Sequence, residues 1–323
     1  MALCNEELQY LSANGGDQIT AQLWRDDAVT PRGLLQIVHG MNEYMGRYED
    51  FAAFMAASGF IVFGNDHTGH GKSKGAGGYG YFADKDGPGV LVKDVRTLNE
   101  TVTHRYPQLP CFMLGHSLGS FICRSYITKY GDELAGIIIS GTAGPNPLGG
   151  IGMVLSRLII ALRGPGYRST MLIKMAFGNY NKRYGESRTQ YDWLTRDTAI
   201  VDKYASDERC NFIFTARGFY DIAALLGEIS SKQWATTVPK EKPYLMFSGA
   251  MDPVGDYGKG VQMVYDRMKA AGVRDITLRL YEEGHHEMLN ELNHGEVYAD
   301  VLGWMEGVLQ KQGAAAQSEA HAL

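Results

Sequence analysis

Three side chains in this sequence have the types and the order needed for nucleophilic acyl transfer. Gly115-His-Ser-Leu-Gly119 sets Ser117 in a G-x-S-x-G pattern, Asp252 ends the run Ser248-Gly-Ala-Met-Asp252, and His285 and His286 follow. A serine hydroxyl is a poor nucleophile until a base takes its proton. Histidine suits that task, because its ordinary pKa of about 6.5 leaves it largely neutral near pH 7. A carboxylate then orients the imidazole and stabilises its cationic form. Serine, acid, histidine is the chain order expected when a strand–turn–helix presents the serine.

The pattern alone is weak in a chain with 40 glycines, and a second match exists at Gly71-Lys-Ser-Lys-Gly75. Context separates the two. Ser117 has the apolar run Cys111-Phe-Met-Leu114 before it and Phe121-Ile-Cys-Arg-Ser-Tyr126 after it, as a strand-to-helix turn requires. Ser73 sits among glycines and lysines and reads as a solvated loop serine. Asp252 follows the strand-like Tyr244-Leu-Met-Phe247, whereas the rival acid Asp256 lies further into a glycine-rich turn. Spacing does not decide between His285 and His286.

A developing oxyanion needs two backbone N–H groups. Leu118, directly after the serine, supplies one; Met41, in His39-Gly40-Met41 after an early strand, is the candidate for the other. Other glycine-rich signals fail on context. Gly75-Ala-Gly-Gly-Tyr-Gly80 fits G-x-G-x-x-G with no strand before it, so no dinucleotide cofactor is expected. Gly71-Lys72-Ser73 resembles the end of a P-loop, but Asp66 stands where its first glycine should be. His67 and His70 are close enough to share a metal, yet no further ligand cluster supports one. The expectation is no metal and no cofactor.

The elements that must position these groups are legible as rhythm. Short apolar runs at 19–24, 34–38, 60–63, 111–114, 137–140, 244–247 and 276–280 read as strands. Helical spacing falls between them at 48–58, 91–104, 120–130 and 293–310, with a glycine-rich loop at 69–80. Strands alternating with helices imply a mostly parallel sheet covered on both faces. From 145 to about 240 strands give way to helical stretches, at 153–162, 190–204 and 212–229. That pattern predicts one core from 1–145 and 241–323, with a tail frayed from about 312, and a helical cap inserted at 146–240. In the cap run 151–162, Arg157 is the one charge, so the run either packs in the cap core, lines an acyl tunnel or touches a lipid surface.

Bulk composition narrows the partners. A net charge of −5 offers no basic field for phosphate backbones, which argues against nucleic acid. Four cysteines without CxxC spacing suit a reducing compartment, and no basic-then-apolar leader opens the chain, so a cytoplasmic location is expected. Oligomeric state is not legible.

Taken together, these blocks resemble the monoacylglycerol lipase and lysophospholipase family of α/β-hydrolases. The resemblance runs through Val38-His-Gly-Met-Asn-Glu-Tyr44 with Arg47-Tyr48, Asp66-His-Thr-Gly-His-Gly-Lys-Ser73, Gly115-His-Ser-Leu-Gly119, Ser248-Gly-Ala-Met-Asp252 and His286-Glu-Met-Leu-Asn-Glu291. It covers roughly 17–145 and 241–310. It implies an α/β-hydrolase fold with a cap, a triad of Ser117, Asp252 and His286, an oxyanion hole at Met41 and Leu118, and fatty-acyl ester hydrolysis. His286 is preferred because it precedes Glu-Met-Leu-Asn-Glu. The chain departs from the family at Tyr44, usually His, and at Ser120, often Gly. Rivals are an aminopeptidase or acyltransferase on the same triad and a non-catalytic binder on the same fold. An aminopeptidase would hold an ammonium group with cap carboxylates, for which Glu186, Asp192, Asp197 and Asp202 are candidates.

Overall fold

The computed structural model describes residues 3–145 and 149–322. The elements run β1 (Leu3–Leu11), β2 (Gln18–Asp26), β3 (Gly33–Val38), α1 (Glu49–Ala57), β4 (Phe60–Asn65), α2 (Gly87–Arg105), β5 (Cys111–His116), α3 (Leu118–Tyr130) and β6 (Gly136–Ser140). Next come α4 (Gly149–Arg163), α5 (Thr170–Phe177), α6 (Thr198–Ser206), α7 (Ala216–Ser230) and α8 (Trp234–Thr237). The chain closes with β7 (Tyr244–Gly249), α9 (Lys259–Ala270), β8 (Ile276–Tyr281) and α10 (His294–Ala322).

The strands form one sheet in the order β1-β2-β4-β3-β5-β6-β7-β8. β1 and β2 pair antiparallel, β2 joins β4 antiparallel, and every later pairing is parallel. Strands β3 to β7 are buried along their whole length, which explains their largely apolar composition. Side-chain alternation splits the core in two. Met113, Ile137 and Ile139 face one layer with Leu98 of α2 and Ile122 of α3. Phe112, Leu114 and Ile138 face the other with Phe51 of α1 and Val301 of α10.

Every helix-bearing segment expected from the periodicity is present, with shifted ends. The helix expected from 190 begins only at Thr198, because Asp197 caps it by accepting from the N–H groups of Ala199 and Ile200. α10 runs on to Ala322, through a run of alanines, the best helix formers. β1 was not anticipated: none of its residues is fully buried, Glu6 stands on its half-buried face and Leu11 on its exposed one, so the sequence shows no clean apolar alternation. Ser73 is a correction. It is fully buried rather than solvated, and its Oγ accepts the Thr20 N–H of β2 at 2.9 Å.

Between β6 and β7 the described residues hold helices and no strand of the sheet; the junction expected at 146 falls on residues 146–148, outside the described ones. On α4, Ser156 and Ile159 are buried, while Ile151, Val154, Leu158 and Leu162 are 57%, 68%, 55% and 71% exposed. One face of this helix is therefore packed against the protein and the other is left exposed. Among the described residues no helix is long and apolar enough to cross a membrane.

Candidate active site

β5 ends at His116 and α3 begins at Leu118, leaving Ser117 alone at the turn. Its backbone sits at φ 52°, ψ −120°, a strained conformation for a residue with a side chain. The turn survives because its surroundings are small and tied down. The Ser117 N–H donates to the Ser140 carbonyl of β6 at 3.0 Å. The Ser117 carbonyl accepts from the Ser120 hydroxyl at 2.6 Å, which gives the family departure at 120 a local task. A Cβ on Gly119 would strike the Val38 carbonyl oxygen, so only glycine lets α3 pack this closely against β3.

Asp252 and His286 come from the chain beyond β7 and β8, and both are buried. His286 Nδ1 lies 3.0 Å from Asp252 Oδ2, with the ring N–H off the direct line. The same carboxylate accepts from the Ser248 hydroxyl at 3.0 Å and the Val254 N–H at 2.8 Å. Burial pushes Asp252 up, but the His286 charge and these donors outweigh it and hold the acid below its ordinary value. Burial pulls His286 down, and the Asp252 charge overrides that, leaving the imidazole more basic than usual. His285 goes elsewhere: its Nδ1 faces the Asp192 carbonyl at 2.9 Å and its ring meets Tyr184. The structure thus separates the two histidines that spacing left level, and pairs His286 with Asp252. Asp256 is an exposed turn residue at φ 48°.

Met41, Ser117, Leu118 and His286 share the wall of one cavity of about 1010 Å³. Leu118 opens α3, where a backbone N–H has no intrahelical acceptor. The Met41 loop is pressed against the serine, for a Cβ on Gly40 would stand 3.0 Å from the Ser117 Cβ. Beneath that loop, His67 Nε2 is 3.0 Å from the His39 carbonyl, and His39 Nε2 receives the His67 N–H at 2.9 Å. Burial pushes His67 and His70 down to about 4 and about 3, so these rings are neutral scaffolding. Among the described residues no group of three or more His, Cys, Asp or Glu is placed to hold a metal ion. Such a constellation can perform acyl transfer: a lifted hydroxyl, a basic imidazole backed by a carboxylate, and N–H groups beside them.

Two features of the site escaped sequence reasoning. Arg47 is buried between two acids, with Nη1 and Nη2 reaching Glu287 at 2.7 and 2.6 Å and Nη1 reaching Glu43 at 3.1 Å. Glu43 in turn accepts from the Gly40 N–H and, at 2.8 Å, from the Tyr48 hydroxyl. Burial pushes Glu43 up to about 7, whereas in Glu287 the Arg47 charge overcomes burial and keeps the acid low. All three residues stood in the quoted blocks, and an arginine flanked by acids in two of them was the available signal. The second feature is Trp193, from the helical segment. Its ring centroid is 5.1 Å from that of His286 and its carbonyl accepts the His286 N–H at 3.4 Å.

This fold and site define the α/β-hydrolase class of serine hydrolases. The family described as "Serine aminopeptidase, S33" matches residues 29–293, and the chain belongs to it. A monoacylglycerol lipase of Mycolicibacterium smegmatis is 29% identical over 294 residues, 90% of this chain and 94% of that one. The monoglyceride lipase of Mus musculus is 28% identical across 96% of this chain and 93% of its own. A thermostable carboxyl esterase from Bacillus coagulans, solved in complex with glycerol, superposes with a TM-score of 0.88 at 31% identity, over 96% of this chain and 99% of its own. The chain is an enzyme, a serine ester hydrolase.

Arg47→Leu leaves two buried carboxylates without their cation and should cost about 3–5 kcal/mol, read from the urea midpoint. A midpoint within experimental error of the parent would show that the network carries no such weight.

Proposed function

We propose that the enzyme cleaves fatty-acyl esters of small alcohols, monoacylglycerols first and lysophospholipids as the competing class, through an acyl-Ser117 intermediate. The observation that carries this reading is the cavity. A strained serine and the His286 imidazole, backed by buried Asp252, open on one space whose walls include Ile173, Met175, Ile213, Ile222 and Leu226. His286 takes the Ser117 proton as the ester carbonyl is attacked, and Asp252 stabilises the imidazolium. The N–H groups of Met41 and Leu118 hold the oxyanion. The alcohol leaves with that proton, and water activated by His286 then releases the acid. Monoacylglycerol and monoglyceride lipases similar to this chain, from Mycolicibacterium smegmatis and Mus musculus, support the substrate class.

The ammonium-binding alternative loses its candidates. Asp192 is spent on the N–H groups of Arg188 and Thr189, Asp197 caps α6, and Asp202 pairs with Arg188. None of these, nor Glu186, lines the cavity. In this reading residues 146–240 are a cap, and the α4 stripe of Ile151, Val154, Leu158 and Leu162 rests on a lipid surface from which substrate enters. A cytoplasmic setting suits the four free thiols.

Turnover of p-nitrophenyl esters from acetate to palmitate, with monoacylglycerol, lysophospholipid and an aminoacyl anilide beside them, tests the chemistry. Activity should rise with acyl length and vanish in Ser117→Ala; a burst of product from that variant would overturn the assignment. Because the base must be neutral and its pKa is raised, kcat/KM should fall as pH drops through a midpoint above 6.5. The histidine's share of stability runs the other way: it is complete below about 6.5 and is lost as pH rises through the folded value. Asp252→Asn removes the charge that raises His286, so kcat should fall by about 10⁴ and the acid limb should move to lower pH. A limb that stays in place would contradict the pairing. Leu158→Glu with Leu162→Glu should reduce co-sedimentation with phosphatidylcholine vesicles while sparing turnover of a soluble short ester; unchanged sedimentation would remove α4 from the lipid surface.

A further inference from the structure

Arg124 of α3 is 1% exposed, and among the described residues it pairs with no carboxylate. Its Nη1 donates to the Thr142 hydroxyl at 3.2 Å and the Ala143 carbonyl at 2.8 Å, and its Nη2 to the Ile229 carbonyl at 2.7 Å. The guanidinium lies 4.3 Å from the Trp234 ring, whose N–H returns to the Arg124 carbonyl at 2.6 Å. Nε has no partner. Burying a cation without a counter-charge is costly, and an apolar residue of similar volume would pack there without the penalty. What the arginine supplies is direction: one planar group fastens three separate segments.

Those segments are a wall of the cavity. Phe121, one turn before Arg124, lines it, as do Ala143 itself and, on α7, Ile222 and Leu226. Ile229 lies one turn beyond Leu226 on that helix. Its neighbour Ser230 accepts from Arg267 at 2.7 Å, so the C-terminus of α7 is held by two guanidinium groups, which its dipole also favours. The chain leaving β6 and the end of α7 are thereby tied to the helix that begins at Ser117.

We propose that Arg124 is a positioning residue that fixes the apolar wall of the cavity relative to Ser117 and thereby sets the acyl length the enzyme accepts. The proposal rests on the ester-hydrolase reading above for its choice of ligand. Arg124 touches no substrate; it acts through Phe121, Ala143 and Leu226. Without its three hydrogen bonds α7 keeps the Arg267 contact at Ser230 and the Ser125 hydroxyl on Glu228 at 2.7 Å, but the chain leaving β6 loses its side-chain tie to α3 and the wall can move outward.

The test compares the parent with Arg124→Met, Arg124→Lys and Thr142→Val. Active sites are titrated with a fluorophosphonate, so that only folded enzyme is counted. The profile of kcat and KM is read from acetate to palmitate. In Arg124→Met the ratio of long-ester to acetate kcat/KM should change by about tenfold or more, mainly through KM, with acetate kcat within about threefold of the parent. Arg124→Lys and Thr142→Val should shift the profile in the same direction by less. An equal loss at every chain length, or an unchanged profile, would overturn the proposal. Displacement of a bound fluorescent fatty acid by C4 to C16 acids, in a Ser117→Ala background, reads the same length preference without turnover. A length shift there with no ester hydrolysis in the parent would sink the catalytic reading and leave the wall assignment standing.

Discussion

The Arg47 guanidinium is buried between two carboxylates, and the site is arranged around that pairing. The carboxylates of Glu43 and Glu287 come from opposite ends of the chain. Glu43 follows β3 and holds the Gly40 N–H; Glu287 follows β8 and is the residue after His286. One cation therefore ties the loop beside the serine to the loop that carries the imidazole, across β5, β6 and β7. The net gain of such a group is small, because desolvating three charges offsets most of the attraction. The cost of losing one member is large, and that asymmetry makes the geometry specific.

The sheet does the remaining alignment. In a parallel sheet every strand ends on the same edge, so loops distant in sequence meet there without special bending. Ser117, Asp252 and His286 follow β5, β7 and β8, and Met41 follows β3. The strain at Ser117 is confined to a single residue, because the Ser140 carbonyl, the Ser120 hydroxyl and the close approach at Gly119 determine its position from three sides.

Much of this was legible because it obeys simple periodicities. Apolar runs bounded by Gly and Pro gave the buried strands, and the strand before Ser117 told it apart from Ser73. What escaped follows from the limits of those signals. β1 lies at the edge with one face exposed and the other only half-buried, and Glu6 on the half-buried face breaks the apolar alternation that would mark it. Ser73 has the flanks of a surface loop, yet it is buried by β2, a contact that local sequence does not encode. His285 and His286 are neighbours in the chain and separate only in space, where one meets Asp252 and the other the Asp192 carbonyl. Trp193 lies in the segment where resemblance to the family was weakest, and Arg124 acts through Ile229 and Trp234 of that same segment, far from it in sequence.

The charge balance around Arg47 bears on how a catalytic cycle ends. Glu287 and Asp252, both held low, and Glu43, pushed up to about 7 and so only partly ionised, face one permanent cation and one imidazole that returns to neutrality. A carboxylic acid formed beside Ser117 would ionise into a neighbourhood already in negative excess. Under the proposed chemistry the leaving acid is repelled by the carboxylates that hold the site together, so product inhibition by free fatty acid is weak at neutral pH and deepens as the medium is acidified.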